Sequence, residues 1–193
     1  MNVAAKQPRK LTIDEFLAFY ATRPDEEQWQ LIDGVALLMT PPFPTHQIIA
    51  SNLERLLNDA LEAHAPHLIA IQRIGTELAE FPHYRPEPDV AVVDIEIPPG
   101  QRHFDRFYLV AEVLSESDED RVDLKREYYR AHDPNRAILL IRQDVQELKL
   151  DRRIEGAWKT EVLSGPEARL DLPDFGFSCR LDALYRKMFL AAR

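Results

Sequence analysis

Short apolar runs of strand length, separated by helical patterns and proline-rich breaks, constrain the fold of this chain more than any other feature. Runs of this kind occupy residues 89–93, 107–114 and 137–141. An apolar run of about four to eight residues between turn-forming residues is typical of a strand buried on both faces. Residues 120–132, between the last two runs, have helical periodicity. The sequence therefore predicts strands and helices that share one core.

The remaining segments complete a mixed order of helices and strands. Thr12 and Glu15 form a capping box, which predicts a short helix that ends near residue 21. Asp33-Gly34 lies between two apolar runs and predicts a β-hairpin. We therefore predict an α/β fold with a central mixed β-sheet flanked by helices. The further predicted elements are a long amphipathic helix at 46–64, strands at 68–80, 145–151, 158–163 and 168–172, and a final helix from 181.

Composition sets the broad class of the protein. A length of 193 residues suffices for one core, so we expect a loose tail at 1–10 and a single domain at 11–193. Cys179 is the one cysteine, which predicts a reducing, cytoplasmic location. The sequence has no apolar run long enough to cross a membrane and no visible signal peptide. The net charge of −9 disfavours a nucleic-acid partner in general, although a local basic patch would be enough to bind one.

Two carboxylates occur where apolar strands are predicted. Asp89 opens one strand directly after Pro88, and Glu112 interrupts the next strong strand. A buried carboxylate costs several kcal/mol unless it is paired or binds a metal ion. Asp89 is therefore either a solvated strand end or a metal ligand, and Glu112 is either an ion-pair partner or a metal ligand.

Lys125 is the third candidate, because its helical position turns it inward. Val122 and Tyr129 lie on the same helix face as Lys125, whereas Arg126 belongs to a face predicted to be more exposed. Alone, Lys125 is equally explained as a lysine whose stem covers apolar surface. Together, two carboxylates on neighbouring strands can hold Mg²⁺, and a nearby lysine can orient water. This set suits metal-assisted hydrolysis of a phosphodiester bond.

Several blocks of the chain, in order, resemble the PD-(D/E)XK nuclease superfamily, and in particular its mostly bacterial branch of putative restriction endonucleases, formerly a domain of unknown function. The PD motif matches Pro88-Asp89, and the following acid matches Glu112. The motif lysine, two residues after the acid in the parent pattern, is displaced in this branch to the position of Lys125. The resemblance covers about residues 11–186. The matching blocks are LTIDEFLAF, WQLIDGVALLM, HQIIASNL, YRPEPDVAVV and LVAEVLSESDEDRVDLKREYYRAH.

The resemblance implies a restriction-endonuclease-like fold and a metal-dependent endonuclease that hydrolyses DNA with Mg²⁺ or Mn²⁺. Asp89 and Glu112 would bind the metal, and Lys125 would lie beside the attacking water. Nucleases of this fold often act as homodimers. His46 begins the long helix in a family-like block, where it either contacts phosphate or the metal shell or caps the helix.

Gln30 is a departure from the branch, which usually has glutamate at this position. The branch acid is expected to contribute to the metal site, and a glutamine keeps an oxygen but loses a charge. The alternative function is therefore a weak or inactive nuclease fold that serves as a binding or interaction module. A third alternative is a structural domain in which arginines pair with Asp89 and Glu112. Relatives also often carry an aromatic pair before the strand at 137–141, which this chain lacks.

Two further expectations concern the surroundings of the site. Ser117 or Asp118 is expected to cap the helix that carries Lys125. A basic rim for DNA is one interpretation of six side chains, and ordinary surface charge is the other. The six are Arg73, Arg85, Arg121, Lys125, Arg126 and Arg130.

Overall fold

The computed structural model describes residues 9–115 and 119–188. In this part of the chain, the helices are α1 (Ile13–Tyr20), α2 (Pro44–His64) and α3 (Glu119–Ala131), with short 3-10 helices at Pro173–Phe175 and Leu181–Ala183. The strands are β1 (Gln28–Ile32), β2 (Val35–Met39), β3 (Leu68–Gln72), β4 (Gly75–Thr76), β5 (Val90–Asp94), β6 (His103–Phe104), β7 (Leu109–Leu114), β8 (Ala137–Arg142), β9 (Glu147–Ile154), β10 (Ala157–Ser164), β11 (Arg169–Leu172) and β12 (Phe177–Arg180).

A six-stranded mixed sheet forms the centre of the domain, in the order β10-β9-β8-β7-β5-β3. Strands β7 and β8 are parallel and are joined through α3, whereas the other neighbours are antiparallel. Parallel neighbours need a crossover connection, and the helical segment between the two apolar runs supplies it. The predicted α/β fold with a central mixed sheet is therefore confirmed.

The helices α2 and α3 cover opposite faces of this sheet. On one face, Leu53 and Leu57 of α2 pack in a core cluster with Ala111 of β7. On the other face, Tyr128 and Tyr129 of α3 pack with neighbouring positions of the strands, such as Val110. Because successive strand residues face opposite ways, β5, β7 and β8 are apolar at nearly every position. Glu112 therefore points to the α3 face.

The β1–β2 hairpin lies beside the entry to β5. Asp33 and Gly34 both have positive φ, 49° and 76°, as a two-residue hairpin turn of the predicted kind requires. The main chains of Leu31 and Arg85 exchange hydrogen bonds, with N–O distances of 3.2 and 2.8 Å. This contact joins residues that are far apart in sequence, and it holds the hairpin against the segment that leads to Asp89.

The end of the described chain differs from the prediction. Residues 181–183 form a 3-10 helix and 184–187 form turns, so the amphipathic helix predicted from residue 181 is wrong over these residues. Leu181, Leu184 and Tyr185 are buried in the core on the α2 face, and Lys187 has a positive φ of 71° that an α-helix does not allow. Strand β12 was not predicted. Most of the expected tail, residues 1–8, and the expected caps Ser117 and Asp118 lie outside the described residues.

Among the described residues, no helix has both the length and the apolar character needed to cross a membrane.

Candidate active site

Asp89, the residue before β5, lies opposite Glu112 of the neighbouring strand β7. Val90 of β5 is paired with Ala111 of β7, so continuing this antiparallel register by one residue sets Asp89 opposite Glu112. Both side chains are nearly buried, with 15% and 8% of their surfaces exposed. The main-chain N–H of Val113 donates to Asp89 Oδ2 at 2.7 Å, which fixes the carboxylate beside the strand. Two apolar strands thus bring two carboxylates to one point.

Glu112 is held by two side chains of α3. Lys125 Nζ lies 2.9 Å from Glu112 Oε2, and the Tyr129 hydroxyl donates to Oε1 at 2.7 Å. Burial raises the pKa of Glu112; Lys125 lowers it, and the charge of Asp89 raises it again. Burial and Glu112 also raise the pKa of Tyr129, so this hydroxyl remains a donor. The lysine and the tyrosine are one helical turn apart, which explains how they reach the same carboxylate.

The side chain of Lys125 is 12% exposed and points into the site, as its helix face predicts. Arg126 was expected on a more exposed face, but its side chain is only 15% exposed because it pairs with Asp151 of β9. Arg130 pairs with the same aspartate at 2.9 Å. Burial raises the pKa of Asp151, but hydrogen bonds from Arg126, Thr160 and Arg130 lower it further, so the net shift is downward.

Half of the expected basic rim is engaged elsewhere. Arg126 and Arg130 pair with Asp151, and Arg85, which is 6% exposed, pairs with Glu77. Arg73 and Arg121 line the same cavity as Lys125. Of the six candidates, these three line the cavity, and Lys125 among them pairs with Glu112.

His46 lies beside Asp89, with Nε2 2.8 Å from Oδ1. The helix α2 begins at Pro44 and its N-cap is Phe43, so the alternative in which His46 caps the helix is wrong. The sequence could not decide this point, because Pro44 suits the first turn of a helix and moves the start upstream of His46.

Gln30 of β1 completes one wall of the cavity. Its Oε1 atom is buried and has no hydrogen-bond partner among the described residues. A buried oxygen of this kind is costly unless a water molecule or an ion meets it. The hairpin contact between Leu31 and Arg85 holds β1 at the cavity that Gln30 and Asp89 both line.

Glu87 and Tyr129 are site residues that the sequence did not single out. Glu87 is half-buried and lines the cavity; burial raises its pKa, whereas Arg85, Arg73 and Lys125 lower it. The sequence does indicate that Glu87 lies at the site, because residues two apart in an extended segment share a face and Glu87 precedes Asp89 by two.

The cavity has a volume of about 490 Å³ and joins charged and apolar walls. Its charged part includes Glu87, Asp89, Glu112 and Lys125, besides Arg73 and Arg121. Its apolar wall includes Leu38 and Phe43, which are 51% and 68% exposed. The space is of the size in which proteins bind small ligands or part of a larger one.

The oxygen atoms of the site resemble the ligands that a divalent ion needs. Among the described residues, no group of three or more His, Cys, Asp or Glu side chains is arranged to hold a metal ion. Asp89 and Glu112 nevertheless offer four carboxylate oxygens, and each oxygen has a second lone pair besides the contact it makes here. Mg²⁺ is commonly bound by one or two carboxylates and keeps several waters. The two carboxylates fit such an ion, and the buried Gln30 oxygen belongs to the lining of the same cavity.

Comparisons with known proteins agree with this architecture. A family model described as "Uma2: Putative restriction endonuclease" matches residues 13–183. The fold also matches the crystal structure of a putative nuclease belonging to DUF820 from Anabaena variabilis ATCC 29413. That match has a TM-score of 0.74, 20% sequence identity, and covers 91% of this chain and 97% of the other. At this identity it shows the fold alone. No curated protein matches the chain.

Proposed function

The chain belongs to the Uma2 family of putative restriction endonucleases, and on this premise we propose that it is a metal-dependent endodeoxyribonuclease that hydrolyses DNA phosphodiester bonds at Asp89, Glu112 and Lys125. The observation that carries the proposal is the meeting of these three side chains in one cavity. Asp89 continues the register opposite Glu112, and Lys125 Nζ is 2.9 Å from Glu112.

Asp89 and Glu112 would hold Mg²⁺ or Mn²⁺, with the Gln30 oxygen as an accessory ligand, directly or through water. When bound, the ion supplies Lewis-acid stabilisation of the phosphate and lowers the pKa of a bound water. The contacts from Val113 N–H and His46 hold the Asp89 carboxylate in place. Tyr129 holds Glu112 in the same way.

Lys125 would act on the reacting groups. Its ammonium group has three N–H donors, and the contact with Glu112 directs it into the cavity. From this position it can orient the attacking water and stabilise the charge that develops on the phosphate. Arg73 and Arg121, at the same cavity, would bind neighbouring phosphates of the strand.

The experiment is a cleavage assay on plasmid and single-stranded DNA at low salt, with Mg²⁺, Mn²⁺ or EDTA. We expect metal-dependent cleavage that Asp89→Asn and Lys125→Ala abolish. Asp174→Asn and Lys149→Ala, which change the same residue types away from the cavity, should leave it intact. Cleavage that persists in both site variants would contradict the proposed site.

Gln30 favours a second candidate, a nuclease fold with weak or no activity that binds a partner. Its uncharged side chain lines the cavity of the two carboxylates at a position where the branch usually has an acid, and divalent-ion affinity rises with ligand charge. If the wild type does not cleave, Gln30→Glu should restore cleavage, and Gln30→Ala should not. If the wild type cleaves DNA and Gln30→Ala cleaves it equally well, Gln30 has no role in the site and this second candidate function is contradicted.

A further inference from the structure

Strand β10 is an edge of the central sheet that the described residues leave open. At the opposite edge, Asn58 of α2 covers β3: its side chain donates to Ala70 O at 3.0 Å and accepts from Ala70 N at 2.8 Å. Among the described residues, β10 pairs only with β9, and its Val162 is 59% exposed. An open edge strand is a template for another strand.

The hydrogen-bonding direction of each β10 residue follows from its neighbours. Arg153 N–H donates to Arg136 O at the β8 side, so Arg153 and its partner Trp158 do not exchange bonds with each other. Gly165 N–H donates inward to Gln146 O at 2.9 Å. Since directions alternate along a strand, the N–H and C=O groups of Trp158, Thr160 and Val162 point outward. No described residue bonds to them.

We propose that β10 pairs antiparallel with β10 of a second copy of this chain, about a two-fold axis at Thr160. The central sheets of the two copies then form one continuous sheet. In this register Thr160 faces Thr160, and Trp158 faces Val162, so every outward N–H and C=O of the three residues has a partner. All three pairs join outward-directed residues, as a regular antiparallel ladder requires.

Side chains select this register over its neighbours. Lys159 faces Glu161 of the other copy twice, at non-hydrogen-bonded positions where side chains are closest. On the α3 face, Trp158 covers the exposed Val162, an aromatic and β-branched pair that suits cross-strand packing. The nearest alternative registers have the axis at Lys159 or at Glu161, and each sets that charged residue opposite its own copy. An axis at Val162 would place Glu161 opposite Leu163, and an axis at Trp158 would place Lys159 opposite Ala157. None of these alternatives pairs opposite charges.

The test is sedimentation velocity over a concentration series. A contact of one strand is below the usual size of a stable interface, so we expect a reversible dimer with a dissociation constant of about 1–100 μM. Lys159→Glu and Glu161→Lys each put like charges opposite one another at two positions of the dimer and should weaken dimerisation about tenfold or more. An equimolar mixture of these two variants should associate again, because opposite charges then face each other in the mixed dimer.

Two further variants separate an effect on dimerisation from an effect on folding. Far-ultraviolet circular dichroism checks that every variant is folded. Val162→Pro removes an outward N–H without removing a bond to β9 and should also give a monomer. Glu62→Lys makes the same charge change as Glu161→Lys at an exposed position of α2 and should leave the dimer intact. A wild type that stays monomeric to about 1 mM, or a dimer that Lys159→Glu, Glu161→Lys and Val162→Pro leave unchanged, would overturn the proposal.

Discussion

Replacing Lys125 by Met should destabilise the protein, because it leaves the buried Glu112 carboxylate without its cation. The two side chains are 12% and 8% exposed, so solvent screens the pair little. Removing one partner of a buried pair typically costs about 3–5 kcal/mol. We expect the lower end, about 3 kcal/mol, because Tyr129 still donates to Glu112. For a chain of this size, that corresponds to a melting temperature lower by about 6–12 °C.

The loss should depend on pH in a defined direction. Burial raises the pKa of Glu112 in the folded state and Lys125 lowers it, so removing the lysine raises this pKa further. Below the pKa of an unfolded glutamate, about 4.3, the carboxyl is neutral in both states and the lysine contributes little. As pH rises, the unfolded chain ionises before the folded variant does, and the variant loses stability. Because the lysine keeps the pKa of the wild-type carboxyl lower than that of the variant, the difference between the two proteins should be small in acid and grow as pH rises towards neutrality.

Urea unfolding in EDTA over this pH range measures the effect. The double variant Lys125→Met with Glu112→Gln should regain most of the loss at neutral pH, since it removes the unpaired charge. Lys149→Met is the matched control and should change stability little. A loss that does not vary with pH would refute the reasoning and favour the alternative in which Lys125 merely covers apolar surface.

Three other changes should give distinct results. Millimolar Mg²⁺ should raise the melting temperature of the wild type but not of Asp89→Asn, because an ion that binds only the folded chain stabilises it; an equal shift in both would contradict Asp89 as a ligand. Tyr129→Phe should lower stability by about 1–2 kcal/mol by urea unfolding and slow cleavage, since Glu112 loses a donor; unchanged cleavage would show that Tyr129 does not position it. Asp151→Asn should cost about 3 kcal/mol by urea unfolding, by leaving Arg126 without its anion. The pKa of Asp151 is lowered in the folded state, so its contribution is present above the unfolded pKa and is lost as pH falls; a loss in Asp151→Asn that persists in acid would contradict this pairing.

Local patterns were enough to predict the central sheet and the position of Glu112. The runs at β5, β7 and β8 are apolar at nearly every position, which only a sheet covered on both faces requires. In such a strand, a single carboxylate is conspicuous. The inward direction of Lys125 followed from its spacing to Tyr129 on α3. These inferences need only the periods of strands and helices.

Contacts between segments that are distant in sequence could not be predicted from the periodic patterns of strands and helices. Arg126 is withdrawn from the surface by Asp151, which belongs to a strand predicted only weakly. Over the described residues, the predicted final helix is replaced by a 3-10 helix and turns, which bury Leu184 and Tyr185 in the core on the α2 face and let Tyr185 donate to Arg142 O. The position of Gln30 depends on the contact of Leu31 with Arg85, for which the sequence offers no periodic signal.

The electrostatics of the cavity favour a cation over further pairing within the protein. Burial raises the pKa values of both Glu87 and Glu112, so their ionised forms are disfavoured where they stand. Glu112 pairs with Lys125, as the ion-pair alternative for this residue predicts, but among the described residues neither Asp89 nor Glu112 pairs with an arginine, which the structural-domain alternative predicts. In the same cavity, the buried Gln30 oxygen has no hydrogen-bond partner among the described residues. A divalent ion would stabilise both carboxylates at once, whereas a proton would neutralise one carboxyl at a time. Glutamine in place of an acid thus lowers the charge of the cavity and keeps an oxygen in its lining.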